Sequence, residues 1–121
     1  MNADTATQLK AEVEEFLYRE ARYADEFLLD EWEGLLTDDF HYWVPAGRIE
    51  GDPAKQLAYL NDNRARVATR IRQLQTGKRL SQLPTSPMRR ILSNIEVQQE
   101  AADQISVKAN FVIYELAAQS T

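Results

Sequence analysis

The stretch 16-FLYREARYADEFLLDEWEGLLTDDFHYWVP-45 decides how this chain folds. It holds both tryptophans, the single histidine and most of the aromatic residues. Just upstream and through its first half, apolar side chains recur at Leu9, Val13, Phe16 or Leu17, Ala21, Ala24 and Leu28. That three-and-four spacing marks one buried face of a helix. Asp30 followed by Glu33 fits a capping box, which would open a short second helix carrying Trp32, Leu35 and Leu36. Asp38-Asp39 reads as a turn. Phe40-His41-Tyr42-Trp43-Val44 then changes to the two-residue alternation of a strand, and Pro45 closes it. A long helix, a short one and an aromatic strand in this order predict a helix laid across a curved sheet.

Toward the N-terminus, Met1 to Ala6 read as a frayed lead, with Thr5 or Thr7 as candidate helix caps. On the other side, Ala46 to Pro53 hold two of the four glycines and no periodicity, as in an ordered loop. A second long helix is expected from Ala54, because Leu57, Leu60, Arg64, Val67, Ile71 and Leu74 recur at three and four; Gly77 stops it. Lys78 to Pro87 form a second loop. Arg89 to Gln99 read as a strand with Ile91, Ile95 and Val97 on one face. After a turn at Glu100 to Gln104, Ile105 to Leu116 is the clearest strand, with Ile105, Val107, Ala109, Phe111 and Ile113 facing one way. These two strands sit at hairpin distance and should pair antiparallel, with Asn94 and Asn110 meeting across the sheet.

Helices first and antiparallel strands later make an α+β pattern. A sheet of three strands is thin cover for two long helices, and the chain stops just after its best strand, leaving a long edge with no partner. Either another chain supplies one, or this sequence is a piece of a longer domain.

At 121 residues the chain is one domain. Its 14 basic and 19 acidic residues leave a net charge of −5, and its basic residues carry no interleaved aromatics, which argues against nucleic acid as partner. Cysteine is absent, which removes disulfides, thiolate metal sites and cysteine nucleophiles. No apolar run approaches a membrane span and no basic-then-apolar leader opens the chain, so no membrane is expected and the default location is cytoplasmic.

Phosphate-binding glycine loops, paired metal-ligand histidines and nucleophile elbows are missing. Asp38, Asp39 and His41 are the one cluster with catalytic flavour, since a histidine oriented by a carboxylate works as a general base near neutral pH. A lone histidine beside a turn is more often a hydrogen-bonding residue, so no catalytic residue is assigned here. Strand parity puts His41 with Trp43, opposite Phe40, Tyr42 and Val44. So many aromatics in one stretch suit an interface, and Trp43 is the first candidate to face a partner. Arg89-Arg90 reads equally well as a solvated edge guard or as an interface anchor.

Four stretches carry a family resemblance: FLYREARYADEFLLDEWEGLLTDDFHYWVPA, YLNDNRARVATRIRQLQTG, the serine-and-proline loop leading into RRILSNIEV, and NFVIYEL. In this order they resemble the small (beta) subunits of aromatic-ring-hydroxylating dioxygenases over nearly the whole chain. The resemblance implies the cone-shaped, cystatin-like α+β fold of nuclear transport factor two and scytalone dehydratase, a curved antiparallel sheet wrapped around a long N-terminal helix. It also implies a structural role. In such enzymes the alpha subunit carries the Rieske two-iron two-sulfur cluster and the mononuclear iron, and three alpha and three beta chains assemble together. No cofactor is then expected in this chain, and its lack of cysteine and single histidine agree with that. Family members continue past the NFVIYEL-like strand, so the domain 1–121 is expected to be C-terminally incomplete. The alternative is a stand-alone cone-fold dehydratase or isomerase, binding a small apolar ligand with His41 and Asp39 as acid and base.

Overall fold

Residues 3–46, 58–76 and 87–116 are described by the computed structural model. They form α1 (Ala3–Asp25), α2 (Leu29–Glu33), β1 (His41–Pro45), β2 (Ala58–Asn63), α3 (Arg64–Gln75), β3 (Met88–Ala101) and β4 (Gln104–Glu115). The architecture is α+β, as expected, and every strand pairing is antiparallel. The three-stranded sheet is a misreading: four strands form two separate ladders, β1 with β2 and β3 with β4. The chain divides into two compact units, Met1–Leu28 with Thr85–Thr121, and Leu29–Pro84.

In the first unit α1 lies on β3. Val13 and Ala21 are buried and Leu9, Leu17 and Ala24 are half-buried, so the inward stripe takes Leu17 and turns Phe16 out. There the Arg19 guanidinium stands 5.6 Å from the Phe16 ring centre, an attraction of cation to ring face. The helix begins at Ala3, earlier than expected, and Thr5 and Thr7 are inside it; the Thr7 hydroxyl bonds back to the Ala3 carbonyl at 2.9 Å. Its end is closed by Phe27 at φ 60°, with Leu28 N–H donating to Tyr23 O (2.8 Å) and Phe27 N–H to Ala24 O (3.2 Å). This paired closure satisfies the last carbonyls and is usually built on glycine. Leu28 therefore lies past the helix and is exposed.

β3 and β4 form a hairpin turned by Ala102–Asp103. Between Ser93↔Asn110 and Glu96↔Lys108 β3 has one residue more than β4. Asn94 sits there at φ 55°, a left-handed conformation that asparagine tolerates better than most residues. The bulge corrects two expectations. Met88, Arg90 and Leu92 are the half-buried residues before it, and Ile95 and Val97 after it, so Ile91 does not share their face. Asn110 lies opposite Ser93, not Asn94. Along β4 every residue but the half-buried Ile105 is exposed, Phe111 at 62% and Tyr114 at 61% among them.

The second unit holds the largest departure. The helix expected from Ala54 does not begin there: 58–63 is a strand and α3 starts at Arg64, while Leu57 lies outside the described residues. Asn63 explains the boundary. Its backbone is extended and its Oδ1 accepts from Arg66 N–H at 2.9 Å, the cap of α3. Asn61, Asp62 and Asn63 prefer turns and caps to helix interiors, and β1 offers 58–63 a ladder instead. Val67 and Ile71 are buried, Leu74 is half-buried, and α3 lies against both strands.

Candidate functional site

The aromatic segment is assembled as the sequence suggests, one residue later. Phe40 precedes β1, its N–H donating to Thr37 O at 3.1 Å, and its ring meets Trp32 edge-on at 6.2 Å and Tyr42 at 6.2 Å. The alternation of β1 sends His41 and Trp43 one way and Tyr42 and Val44 the other.

His41 and Asp39 have different partners. His41 Nε2 lies 2.6 Å from Asn61 Oδ1, to which it donates when that nitrogen is protonated; Asp39 Oδ1 accepts from the Thr37 hydroxyl at 2.5 Å. The imidazole is thus oriented by a neutral amide and not by the carboxylate of Asp39. Trp43 is half-buried, and its Nε1–H is sealed from solvent with no acceptor in reach among the described residues. A buried donor left unmatched in this way costs about 1–3 kcal/mol.

Of the two arginines considered as interface anchors, Arg90 is committed within the chain. Its Nε and its backbone N–H both donate to the Asp25 carboxylate at 2.8 Å, and the two side chains are 19% and 7% exposed. Arg89 is exposed.

Two further charge clusters lie around α3. Glu33 replaces its expected capping role with a bridge: Oε2 accepts from Arg64 at 3.0 Å and Oε1 faces Arg72 at 3.1 Å, tying α2 to α3. The Arg64 hydrogen bond holds the Glu33 carboxyl below its ordinary value of 4.5, burial opposing it and Arg72 adding to it. Asp30, inside α2 rather than capping it, accepts from Gln75 Nε2 at 2.7 Å. Asp62, only 2% exposed, is gripped through both oxygens by Arg70. The sequence signal for these clusters is a twelve-residue helix with four arginines and no acid; which carboxylates answer them is set by the fold.

An open groove of about 360 Å³ lies in the first unit, lined by Leu9, Ile95 and Val97 with Lys10, Glu96 and Gln99. Neither His41 nor Asp39 belongs to it. Among the described residues no three His, Cys, Asp or Glu side chains converge as a metal site would require. None of the described helices is long and apolar enough to cross a membrane.

Residues 19–121 match the family model described as ring hydroxylating beta subunit. The benzene 1,2-dioxygenase subunit beta of Pseudomonas putida is 29% identical over 93% of this chain and 65% of that protein. The small oxygenase component of the p-cumate 2,3-dioxygenase system, also of Pseudomonas putida, is 31% identical over 88% of this chain and 61% of its own length. The chain thus spans about 65% of the length of the first of these relatives. Among solved structures, the beta subunit of the benzoate 1,2-dioxygenase of Burkholderia mallei superposes with a TM-score of 0.75 at 21% identity, covering 91% of this chain and 70% of that one. Naphthalene 1,2-dioxygenase superposes at 0.79 and 14% identity, covering 94% and 64%. At those identities the structural likeness speaks for the fold, and the fold is the one expected.

Proposed function

The chain belongs to the ring hydroxylating beta subunit family, and from that premise we propose that it is the small, structural subunit of a multicomponent aromatic-ring-hydroxylating dioxygenase. The observation that carries this is the family match from residue 19 to residue 121. Its partner is the large alpha subunit of the same enzyme, three copies of each chain assembling together in the cytoplasm. The alpha subunit holds the Rieske cluster and the mononuclear iron. A chain with no cysteine and one histidine lacks the two Cys and two His a Rieske cluster takes as ligands. The assembled enzyme adds both atoms of dioxygen to an aromatic ring, and this chain supports the subunit that does so. Trp43, half-buried on β1, remains the first candidate for the subunit interface, with Arg89 second. Arg90, held by Asp25, serves the fold first.

Co-expression with the large subunit, mass determination and turnover of the complex test this reading. The expected result is one stable complex containing both chains, in which His41→Ala leaves the chemical step within a few-fold of wild type. A large subunit that assembles and turns over fully without this chain sinks the proposal. So does a loss on the order of 10³-fold in His41→Ala with assembly intact, since positioned acid–base groups contribute about 10²–10⁴-fold; that result would favour the alternative with His41 and Asp39 in the chemistry.

A further inference from the structure

The arginines of α3 divide unequally. Arg64 and Arg72 share Glu33 at 3.0 and 3.1 Å. Arg66 and Arg70, one turn apart, both reach toward Asp62 Oδ1, Arg70 Nη2 at 3.4 Å and Arg66 Nη1 at 3.8 Å. Arg70 also holds the second oxygen, Oδ2. A buried carboxylate therefore neutralises one guanidinium, and the other is left at the margin of ion pairing. The exposures agree: Asp62 2%, Arg70 39%, Arg66 67%. Asn63 beside them spends its side-chain oxygen on Arg66 N–H, which leaves its amide NH₂ as donor.

We propose that the Arg66–Arg70–Asn63 surface receives a carboxylate-bearing segment of the dioxygenase large subunit, with Arg66 as its principal contact. The inference rests on the reading of this chain as a dioxygenase small subunit. Its chemistry is that of a donor surface whose acceptors among the described residues are already used. Arg66 and Arg70 offer planar forks that match a carboxylate two bonds at a time, and Asp62 holds Arg70 in place so that less side-chain freedom is lost on docking. A second anion between the two guanidiniums relieves the repulsion that, among the described residues, Asp62 offsets. The surface is also a positive spot on a chain of net charge −5, and such a spot orients an acidic partner more than it raises bulk affinity. The uncharged exposed residues Ala65, Thr69 and Gln73 on the same helix present no competing charge.

The test measures association of the full chain with the co-expressed large subunit by sedimentation velocity, from about 50 to about 500 mM KCl, a range over which exposed charges are progressively screened. Arg66→Gln is compared with wild type, with Arg66→Lys and with Arg19→Gln on α1. Arg66→Gln is expected to fold as wild type, checked by its thermal midpoint, while binding about tenfold more weakly at low salt and losing part of the salt dependence. Arg66→Lys should recover only part of the affinity, and Arg19→Gln should bind as wild type. Unchanged binding by Arg66→Gln, or an equal loss in Arg19→Gln, overturns the proposal while leaving the functional reading intact. Salt-sensitive self-association of this chain that Arg66→Gln abolishes also overturns it, by making a second copy the occupant. A wild-type chain that does not pair with the large subunit overturns the functional reading itself.

Discussion

The two ladders of this chain are covered to different degrees. β1–β2 has α3 against both of its strands, two buried apolar residues on that helix, and Asp62 buried on the ladder under Arg70. The β3–β4 hairpin is about twice as long, yet α1 lies on β3 and leaves β4 exposed from end to end apart from the half-buried Ile105. A helix alone does not close over a sheet of that length. What secures α1 to the hairpin is Val13, Ala21 and the Asp25–Arg90 clasp, a polar contact at one end. Coverage follows from how much apolar area a helix stripe and a sheet face can offer each other. The long hairpin has much more apolar face than α1 can meet.

The sharpest way to break this contrast is Arg90→Ala. It strands the Asp25 carboxylate, 7% exposed, without its cation and without one of its two hydrogen bonds. Loss of one partner of a buried pair costs about 3–5 kcal/mol, read from urea unfolding of the full chain. A cost below about 1 kcal/mol would show that α1 stays on β3 by apolar contact alone.

A smaller effect is expected in the second unit. Glu33→Gln removes the charge that bridges Arg64 and Arg72, at about 1 kcal/mol near neutral pH. The folded Glu33 carboxyl lies below its unfolded value, so its contribution is fully present above the ordinary 4.5 and is lost as pH falls through the lowered folded value. Wild type and Glu33→Gln should therefore converge in acid. A difference that persists at low pH would assign the effect to packing of the side chain.

Least of all should Phe111→Thr matter to stability, because Phe111 is 62% exposed. The expected change is within about 0.5 kcal/mol, together with weaker binding of hydrophobic dyes and less self-association of the chain. A loss above about 2 kcal/mol would mean that the face of β4 carrying Phe111 is packed in solution.

The same contrast governs what was legible in the sequence. α1, the α2–turn–β1 succession and the hairpin were legible because each is a local periodicity joined by short turns. β2 was not. Leu57, Leu60, Arg64, Val67 and Ile71 recur at helical spacing straight through the strand, and only Asn61-Asp62-Asn63, with its preference for caps, marks the true boundary. The family was legible from four stretches in order, and the match from residue 19 to residue 121 agrees. The charge clusters were out of reach. Asp25 meets Arg90 across 65 positions and Glu33 meets Arg64 across 31, distances over which no local pattern chooses a partner.

Asn94 carries a last consequence, for how the length of this chain can vary. Two residues of β3 stand opposite one of β4 at the bulge, so removing Asn94 would let Ile95 meet Ala109 directly and leave Met88, Arg90 and Leu92 facing as they do now. Removing Glu96 instead would make Ile95 and Val97 neighbours on the strand and turn them to opposite sides of the sheet. At Asn94 the length of β3 can thus change by a single residue without turning its inward side chains over, four residues beyond the arginine that holds the long helix in place.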